Sequence, residues 1–430
     1  MEIIIIGAGL VGTSLAMNLS NEGHNVVVID SDLAVIKRLQ ESLDVQAMHG
    51  DAADGEFLQE AGLEKADLLL AVTNSDESNI IITLMVRAIN PSTKVIARVR
   101  KKQFLYNPGL AKGQTLGGAM VFSPEHAAVD MVLDLLAVDQ AFEVVPFENG
   151  SVRIVGFRLG AESILVGRPL IDIKELAKVR ALIVAVDKGG EVVIPHGQTI
   201  LDVRDRVYIT SGVGTDLAPI LTLLGRRPVQ HRKIVIAGGG WKGEQIAVKI
   251  EQLGIPTVII EKSRDRCQEL AAALSETIVI HSDATDPSIL KEMTRGASTF
   301  IAMTGYQEVN LVLCMMARKF GARRTIALMD NEAYLGMAPS LDIDAVVSPK
   351  LAAVGKILRF LSKGKVIDAA TMLNGKLEAI FMEIQENSRI VGTPLKSLGI
   401  PEALIVAAAV KKGQMLVPNG NLVFAPGDQA

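Results

Sequence analysis

Two stretches of this sequence carry glycines at the spacing that brings a peptide backbone against a phosphate. The first, Gly7-Ala8-Gly9-Leu10-Val11-Gly12, joins an apolar run, Glu2 to Ile6, to a helix-forming segment. In such a strand–turn–helix unit the first glycine takes the tight bend and the second admits a pyrophosphate. The third lets the helix lie close on the strand. The helix N-terminus then offers unpaired N–H groups and a partial positive charge. Asp30 follows Gly12 by eighteen residues and ends a second apolar run, where a carboxylate accepts hydrogen bonds from an adenosine ribose. A 2′-phosphate beside Asp30 would meet a repulsion of about 4 kcal/mol at ~4 Å and an effective dielectric of 20. NADP is therefore disfavoured, while NAD and ATP both remain open.

The second stretch repeats the first 231 residues later. Gly7, Gly9 and Gly12 recur at Gly238, Gly240 and Gly243, and Asp30 recurs as Glu261. Asp51 returns as Asp283, Ala71-Val72-Thr73 as Ala302-Met303-Thr304, Asn79 as Asn310, and Ser123-Pro124 as Ser348-Pro349. Val166-Gly167 with Pro169-Leu170 matches Val391-Gly392 with Pro394-Leu395. Near-constant offsets over so many positions specify a tandem duplication, and a period this long means repeated domains. The copies differ. Arg98 and Arg100 become Leu328 and Asp330, so the second site lacks the first site's cations. Trp241 and Lys242 replace Leu10 and Val11 on the phosphate-facing turn, where a tryptophan either covers a ligand or fills its place.

Bond-making chemistry is harder to find. None of the six histidines (His24, His49, His126, His196, His231, His281) stands in a catalytic arrangement. His49 and His281 come nearest, each close to the acid that ends the third strand of its copy, and both read as ordinary strand-end residues. An NAD-dependent dehydrogenase, the main alternative, pairs its cofactor with an acid–base residue and a substrate pocket. The sequence has no G-x-x-x-x-G-K-[ST], so the lysine and magnesium ligand of a P-loop NTPase are missing. Cys267 and Cys314 are its two cysteines, too few for a disulfide framework or a thiolate metal site. Binding without turnover fits these residues best.

With 44 Lys+Arg against 48 Asp+Glu, the net charge of −4 argues against a general nucleic-acid binder. The chain opens directly on a strand, so no signal peptide is expected. No apolar run reaches eighteen residues, so a membrane role must come through a partner.

Strands and helices must alternate to place these residues. Glu2 to Ile6, Asn25 to Ile29, Val45 to Met48, Leu68 to Val72 and Lys94 to Val99 read as strands, with a sixth ending at Ser123. Helical segments lie between them, which specifies a doubly wound parallel sheet. Ser123-Pro124-Glu125 opens a helix by cap, proline and dipole-favouring acid. Its residues Asp130, Met131, Leu133, Leu135 and Leu136 offer a stripe for a neighbour or for its own sheet. From about Ala141 shorter β-runs surround one helix introduced by Gly167-Arg168-Pro169-Leu170, a smaller α+β domain. The fold class is α/β: two Rossmann-like domains with mainly parallel sheets, each followed by a small α+β domain. The expected limits are 1–138, 139–225, a solvated basic linker at 226–232, then 233–362 and 363–430. Gly427-Asp428 aligns just ahead of the position where the last strand of the first small domain begins. The second small domain is therefore expected to lack its closing strand and to leave an exposed edge, either because the sequence is cut short or because another chain completes it.

The motifs Gly7-Ala8-Gly9 with Asp30, Asp51, Ala71 through Glu77, Ile96-Ala97-Arg98 and Ser123-Pro124-Glu125 resemble the TrkA family of potassium-uptake subunits. More broadly they resemble regulator-of-potassium-conductance domains. The resemblance covers essentially the whole chain. It implies a cytoplasmic regulator, peripheral on the cell membrane, bound to a Trk-type potassium channel or transporter. It also implies a homo-oligomeric ring whose occupancy by NAD or NADH, or by ATP or ADP, alters the pore. In that reading Gly7, Ala8, Gly9, Leu10, Val11 and Gly12 hold the diphosphate, Asp30 the ribose and Asp51 the adenine side. Thr73, Asn74 and Arg98 complete the first pocket. Gly238, Gly239, Gly240, Trp241, Lys242, Gly243, Glu261, Asp283 and Thr304 would form the second.

Overall fold

A computed structural model describes every residue except 102, 103, 105–117, 174, 175, 177, 178, 180, 213–216, 227–232, 362–365, 374 and 375. The described chain falls into two compact units. One is Met1–Ala128 with Pro349–Ile357, and the other is Val129–Ser348 with Leu358–Ala430.

In the first unit β1 (Glu2–Ile6), α1 (Leu10–Asn21), β2 (Asn25–Asp30), α2 (Leu33–Ser42) and β3 (Gln46–His49) form the first run. Then come α3 (Gly55–Glu60), β4 (Leu68–Ala71), α4 (Asp76–Ile89), β5 (Lys94–Arg98) and β6 (Met120–Phe122). The sheet order is β3-β2-β1-β4-β5-β6, parallel throughout. Helices cover both faces of such a sheet, so its central strands are continuous apolar runs. Accordingly Leu68–Ala71 is wholly buried, and Ile4, Ile6, Ile29, Leu69, Ile82 and Val95 share one core. The chain reverses its winding between β1 and β4, which opens a crevice at the strand ends. Asp32, Asp54 and Ser75 cap α2, α3 and α4 with their side-chain oxygens.

The exit helix α5 (Pro124–Ala137) begins in the first unit, and from Val129 onward its residues belong to the second. Asp134 on this helix stands over a cleft of about 470 Å³ lined also by Asp130, Leu133, Pro146, Gly150, Arg153 and Asp368. Burial, and the like charge of Asp130, push its carboxyl up to about 6, against the pull of Arg153. The folded value lies above the unfolded one, so this stabilisation is present at low pH and disappears as pH rises from about 4 through about 6. Asp134→Asn should stabilise the protein by about 1 kcal/mol at neutral pH, allowing for solvent screening. Thermal unfolding followed from about pH 4 to 8 should also lose slope; a variant tracking the wild type over that range would refute the assignment.

The first small domain holds β7 (Glu143–Phe147), β8 (Val152–Arg158), β9 (Leu182–Lys188), β10 (Glu191–Val193), β11 (Arg206–Gly212) and α6 (Ala218–Leu223). They form an antiparallel sheet in the order β10-β9-β11-β8-β7. β7 escapes the sequence pattern because it contains Pro146, which a sheet tolerates at an edge. After Gly167 the described residues show a 3₁₀ turn at Leu170–Asp172; the helix expected to follow falls largely on 174, 175, 177, 178 and 180, which lie outside them. The basic linker needs correction too. Residues 227–232 lie outside the described residues, but Arg226 is no solvated connector. It donates to the carbonyls of Gln140 (3.2 Å) and Arg158 (2.6 Å).

The second nucleotide-type domain repeats the first. Its elements are β12 (Ile234–Ala237), α7 (Trp241–Gln252), β13 (Thr257–Glu261), α8 (Arg264–Ala273), β14 (Ile278–His281) and α9 (Pro287–Thr294). They continue as β15 (Thr299–Ala302), α10 (Gln307–Lys319), β16 (Arg324–Leu328), α11 (Glu332–Met337), β17 (Ala345–Val347) and α12 (Pro349–Leu361). The parallel order β14-β13-β12-β15-β16-β17 matches the first sheet strand for strand. The last domain contributes the hairpins β18 (Val366–Met372) with β19 (Leu377–Met382) and β20 (Ala409–Lys411) with β21 (Gln414–Leu416). One apolar core joins Phe147, Ile154 and Tyr208 of the first small domain to Met372, Phe381 and Val410 of the second. The expected bare edge is occupied where the chain reaches it. Gln429 bridges Glu383 and Val410, and Ala430 exchanges two backbone bonds of 2.9 Å with Met382. The turn before it is built alike in both copies, Lys411–Asp428 (2.7 Å) standing where Lys188–Asp205 (3.5 Å) stands.

Candidate nucleotide sites

The glycine turns occupy the crevice at the switch point of each sheet. Gly7 has φ +97°, and a Cβ there would lie 2.8 Å from the Thr73 backbone. A Cβ on Gly12 would lie 1.8 Å from the Gly7 carbonyl oxygen, so α1 presses directly on the turn. Gly9 has nothing within 4 Å of its Cβ position, and it caps α1 with no side-chain hydrogen bond. The second turn is alike. Gly238 has φ +105°, a Cβ on Gly243 would lie 2.2 Å from the Gly238 carbonyl oxygen, and the side of Gly240 is open. One constraint is new: a Cβ on Gly239 would lie 2.4 Å from Leu270 Cδ1, whereas the first turn accommodates Ala8.

The two acids are used identically. Asp30 accepts from the Ala8 N–H at 2.6 Å and the Asp32 N–H at 2.9 Å. Glu261 accepts from Gly239 and Ser263 N–H groups, each at 2.7 Å. A carboxylate has about four acceptor positions, so each acid steadies its turn and keeps capacity for ribose hydroxyls. Asp51 is exposed and accepts the Ala53 N–H at 2.9 Å. Its counterpart Asp283 pairs with Lys262 at 2.9 Å, which holds its carboxyl well below the usual range. The strand-end histidines donate to carbonyls, His49 to Ser31 (3.1 Å) and His281 to Lys262 (3.2 Å). Neither holds a catalytic geometry.

Thr73 turns out to be a positioning residue. Its hydroxyl meets Asn79 Oδ1 at 2.7 Å, and that oxygen also accepts the Thr73 N–H at 3.0 Å. The Asn79 amide donates onward to the carbonyls of Thr73 (3.2 Å) and Arg98 (2.8 Å). Asn310 makes the same four bonds around Thr304 and Leu328. These buried asparagines fasten the loop after the fourth strand to the end of the fifth. The only sign of them in the sequence was their matched spacing behind the two threonines.

Charge separates the pockets. Arg98 pairs with Glu125 at 3.1 Å and reaches Asn74 Oδ1 at 3.5 Å, while its buried Nε has no partner. Arg100 pairs with Asp76, which is 1% exposed and also accepts the Arg100 and Lys101 N–H groups. In the second copy the arginine becomes Asp330 and the acid becomes Gln307, whose amide oxygen accepts the Asp330 and Asn331 N–H groups. An acid at that position would face Asp330, so the paired change preserves the loop. The second turn has a different cation, one that the sequence reading did not single out. Arg266 on α8 donates to the Gly239 carbonyl at 2.8 Å and pairs with Glu244 and Glu269, each at 2.6 Å. In the first copy Thr13 holds that carbonyl, Ala8 O, at 2.9 Å. Trp241 and Lys242 are half-buried, whereas Leu10 is 65% exposed.

Comparison with known proteins follows the same repeat. The TrkA-N domain family matches residues 3–123 and again 234–349, and the TrkA-C domain family matches 154–212 and 380–430. The Trk system potassium uptake protein TrkA of Halomonas elongata is 30% identical over 433 residues, covering 100% of this chain and 94% of that protein. TrkA homolog 1 of Methanosarcina mazei is 32% identical over 438 residues, covering 100% and 96%. Among solved structures, one titled "GsuK channel bound to NAD" superposes with a TM-score of 0.63 at 19% identity, covering 100% of this chain and 75% of that one. That likeness concerns the fold. Dehydrogenase function is set aside by these relatives, and the chain belongs to the TrkA family of Trk-system potassium uptake proteins.

Proposed function

We propose that this protein is a nucleotide-sensing regulatory subunit on the cytoplasmic face of the membrane, gating a Trk-type potassium channel or transporter from a homo-oligomeric ring. In this reading the four modules are 1–138, 139–225, 233–362 and 363–430, with 226–232 between. Among the described residues no helix is long and apolar enough to cross a membrane, so the pore belongs to a partner. The observation that carries the reading is the paired crevice, where both helix N-termini are uncapped by side chains and both second glycines face open space. Each crevice also keeps an acid within reach of a ribose. NAD or NADH is the favoured ligand, with ATP and ADP as competitors, and the pockets differ in charge enough to rank ligands differently. Arg98 and Asn74 would meet the far phosphate or nicotinamide side of the first. Arg266 and Trp241 would border the second. Such a ligand acts only by binding one ring conformation better than another.

Calorimetry with NAD, NADH, ATP and ADP should find at least one tight site, and rubidium uptake by cells carrying the membrane subunit should change when this chain is deleted. Absence of binding by all four nucleotides together with unaltered uptake would overturn the proposal.

A further inference from the structure

The residue that opens α10 breaks a rule that the first copy keeps. In the first copy Ser75 stands at the start of α4, and its hydroxyl accepts the Ser78 N–H at 3.1 Å. Serine, threonine, aspartate and asparagine are preferred there because a short side-chain oxygen satisfies an orphan N–H of the first turn. In the second copy that position is Tyr306, which makes no side-chain cap and is 71% exposed. The residue before it, Asn74 in the first copy, is Gly305, with nothing within 4 Å of its Cβ position. The second copy thus exchanges a cap for an aromatic face beside open space.

That face stands at the crevice. Thr304 Oγ1 accepts the Tyr306 N–H at 3.3 Å, and a Cβ on Gly238 would lie 3.1 Å from the Thr304 nitrogen. The loop that carries the tyrosine is therefore tied to the glycine turn. Lys262, which follows Glu261, pairs with Asp283 at 2.9 Å. Asp283, and more weakly Tyr306, favour the charged form of the Lys262 ammonium, an influence that requires the phenol and the ion pair to share one rim.

An aromatic ring offers little to a phosphate and much to a base, because every base has a face on which it stacks. Phosphate recognition is correspondingly weaker in the second copy. Leu328, 7% exposed, replaces Arg98. The Arg266 guanidinium is committed to the Gly239 carbonyl, Glu244 and Glu269, and Lys262 to Asp283. Lys242 replaces Val11 and adds one positive charge on the first turn of α7, but Glu244 replaces Thr13 two residues later.

We infer that Tyr306 is the base-stacking, specificity-determining residue of the second pocket, which takes a purine nucleoside or nucleotide by its base and ranks ligands little by their phosphate count. The inference rests on the nucleotide reading of this crevice and deepens it. The first pocket, with Arg98, is the one that counts phosphates.

Trp241 is the single tryptophan of the sequence and lies on the second turn, so its emission reports this pocket. Titrations use the full chain carrying Asp30→Ala, which weakens the first pocket, with emission and calorimetry read together. Adenosine, AMP, ADP and ATP should bind within about fivefold of one another, since exposed charges contribute little. Uridine diphosphate should bind about tenfold more weakly than ADP, and Tyr306→Ser should weaken adenosine and ADP about tenfold. Tyr306→Phe keeps the ring and should stay within about twofold. Serine is the better cap, so the serine variant should melt no lower than its parent, and its lost affinity is then a lost contact. Unchanged binding by Tyr306→Ser, or affinity that climbs about tenfold with each added phosphate, would overturn the inference and leave the nucleotide reading in place. So would silence of both Trp241 and the calorimeter in the Asp30→Ala protein when the wild type binds ADP. Wild-type protein that binds none of the four ligands would overturn both.

Discussion

Gly12→Ala is expected to abolish nucleotide binding at the first pocket and to destabilise the protein by about 3 kcal/mol. The added methyl would lie 1.8 Å from the Gly7 carbonyl oxygen, a position no rotamer change can relieve because both atoms are backbone-fixed. The helix must lift, and its N–H groups then leave the height at which they meet a phosphate. Gly9→Ala is the matched control. That site has nothing within 4 Å and a φ of −70° that alanine accepts, so stability should stay within about 0.5 kcal/mol while the methyl stands where the diphosphate would lie. Thermal unfolding and calorimetry separate the two. Equal stability losses would contradict the close approach of α1 to the turn, and unimpaired binding by Gly9→Ala would place the ligand elsewhere.

Asp30→Ala should weaken NAD and ADP at the first pocket about 100-fold, or roughly 2.8 kcal/mol. Two effects add. The ribose loses a charged acceptor, and a hydrogen bond to a charged group contributes about 1.5–3 kcal/mol. The Ala8 and Asp32 N–H groups also lose the carboxylate that holds them at 2.6 and 2.9 Å, so the turn is less well formed before the ligand arrives. Glu261→Ala should leave this affinity intact and affect the second pocket alone. An Asp30→Ala protein that binds as tightly as wild type would remove the ribose assignment.

The elements around the glycine turns were legible because their determinants are local. β1 and β4 are parallel strands covered on both faces, and their unbroken apolar runs announce them. The helix starts at Asp32, Asp54 and Ser75 are written in single residues. Duplication added a check, since a motif found twice at one offset is hard to mistake. Arg266 was missed because no glycine or acid motif points to it; only folding brings α8 over the Gly239 carbonyl. β7 was missed because Pro146 breaks the strand pattern, though at an edge it costs no ladder bond. The destination of α5 was beyond reach for a different reason. Amphipathic spacing tells that one face is buried, not what buries it. Arg324 likewise reads as a surface charge at a strand start until three carbonyls surround it.

The membership of the exit helices bears on how the chain can be divided. Residues Pro349–Ile357 pack within the unit built around the amino-terminal sheet, while Val129 onward pack within the other. A polypeptide cut between the two copies would therefore leave one half without a segment that its compact unit includes.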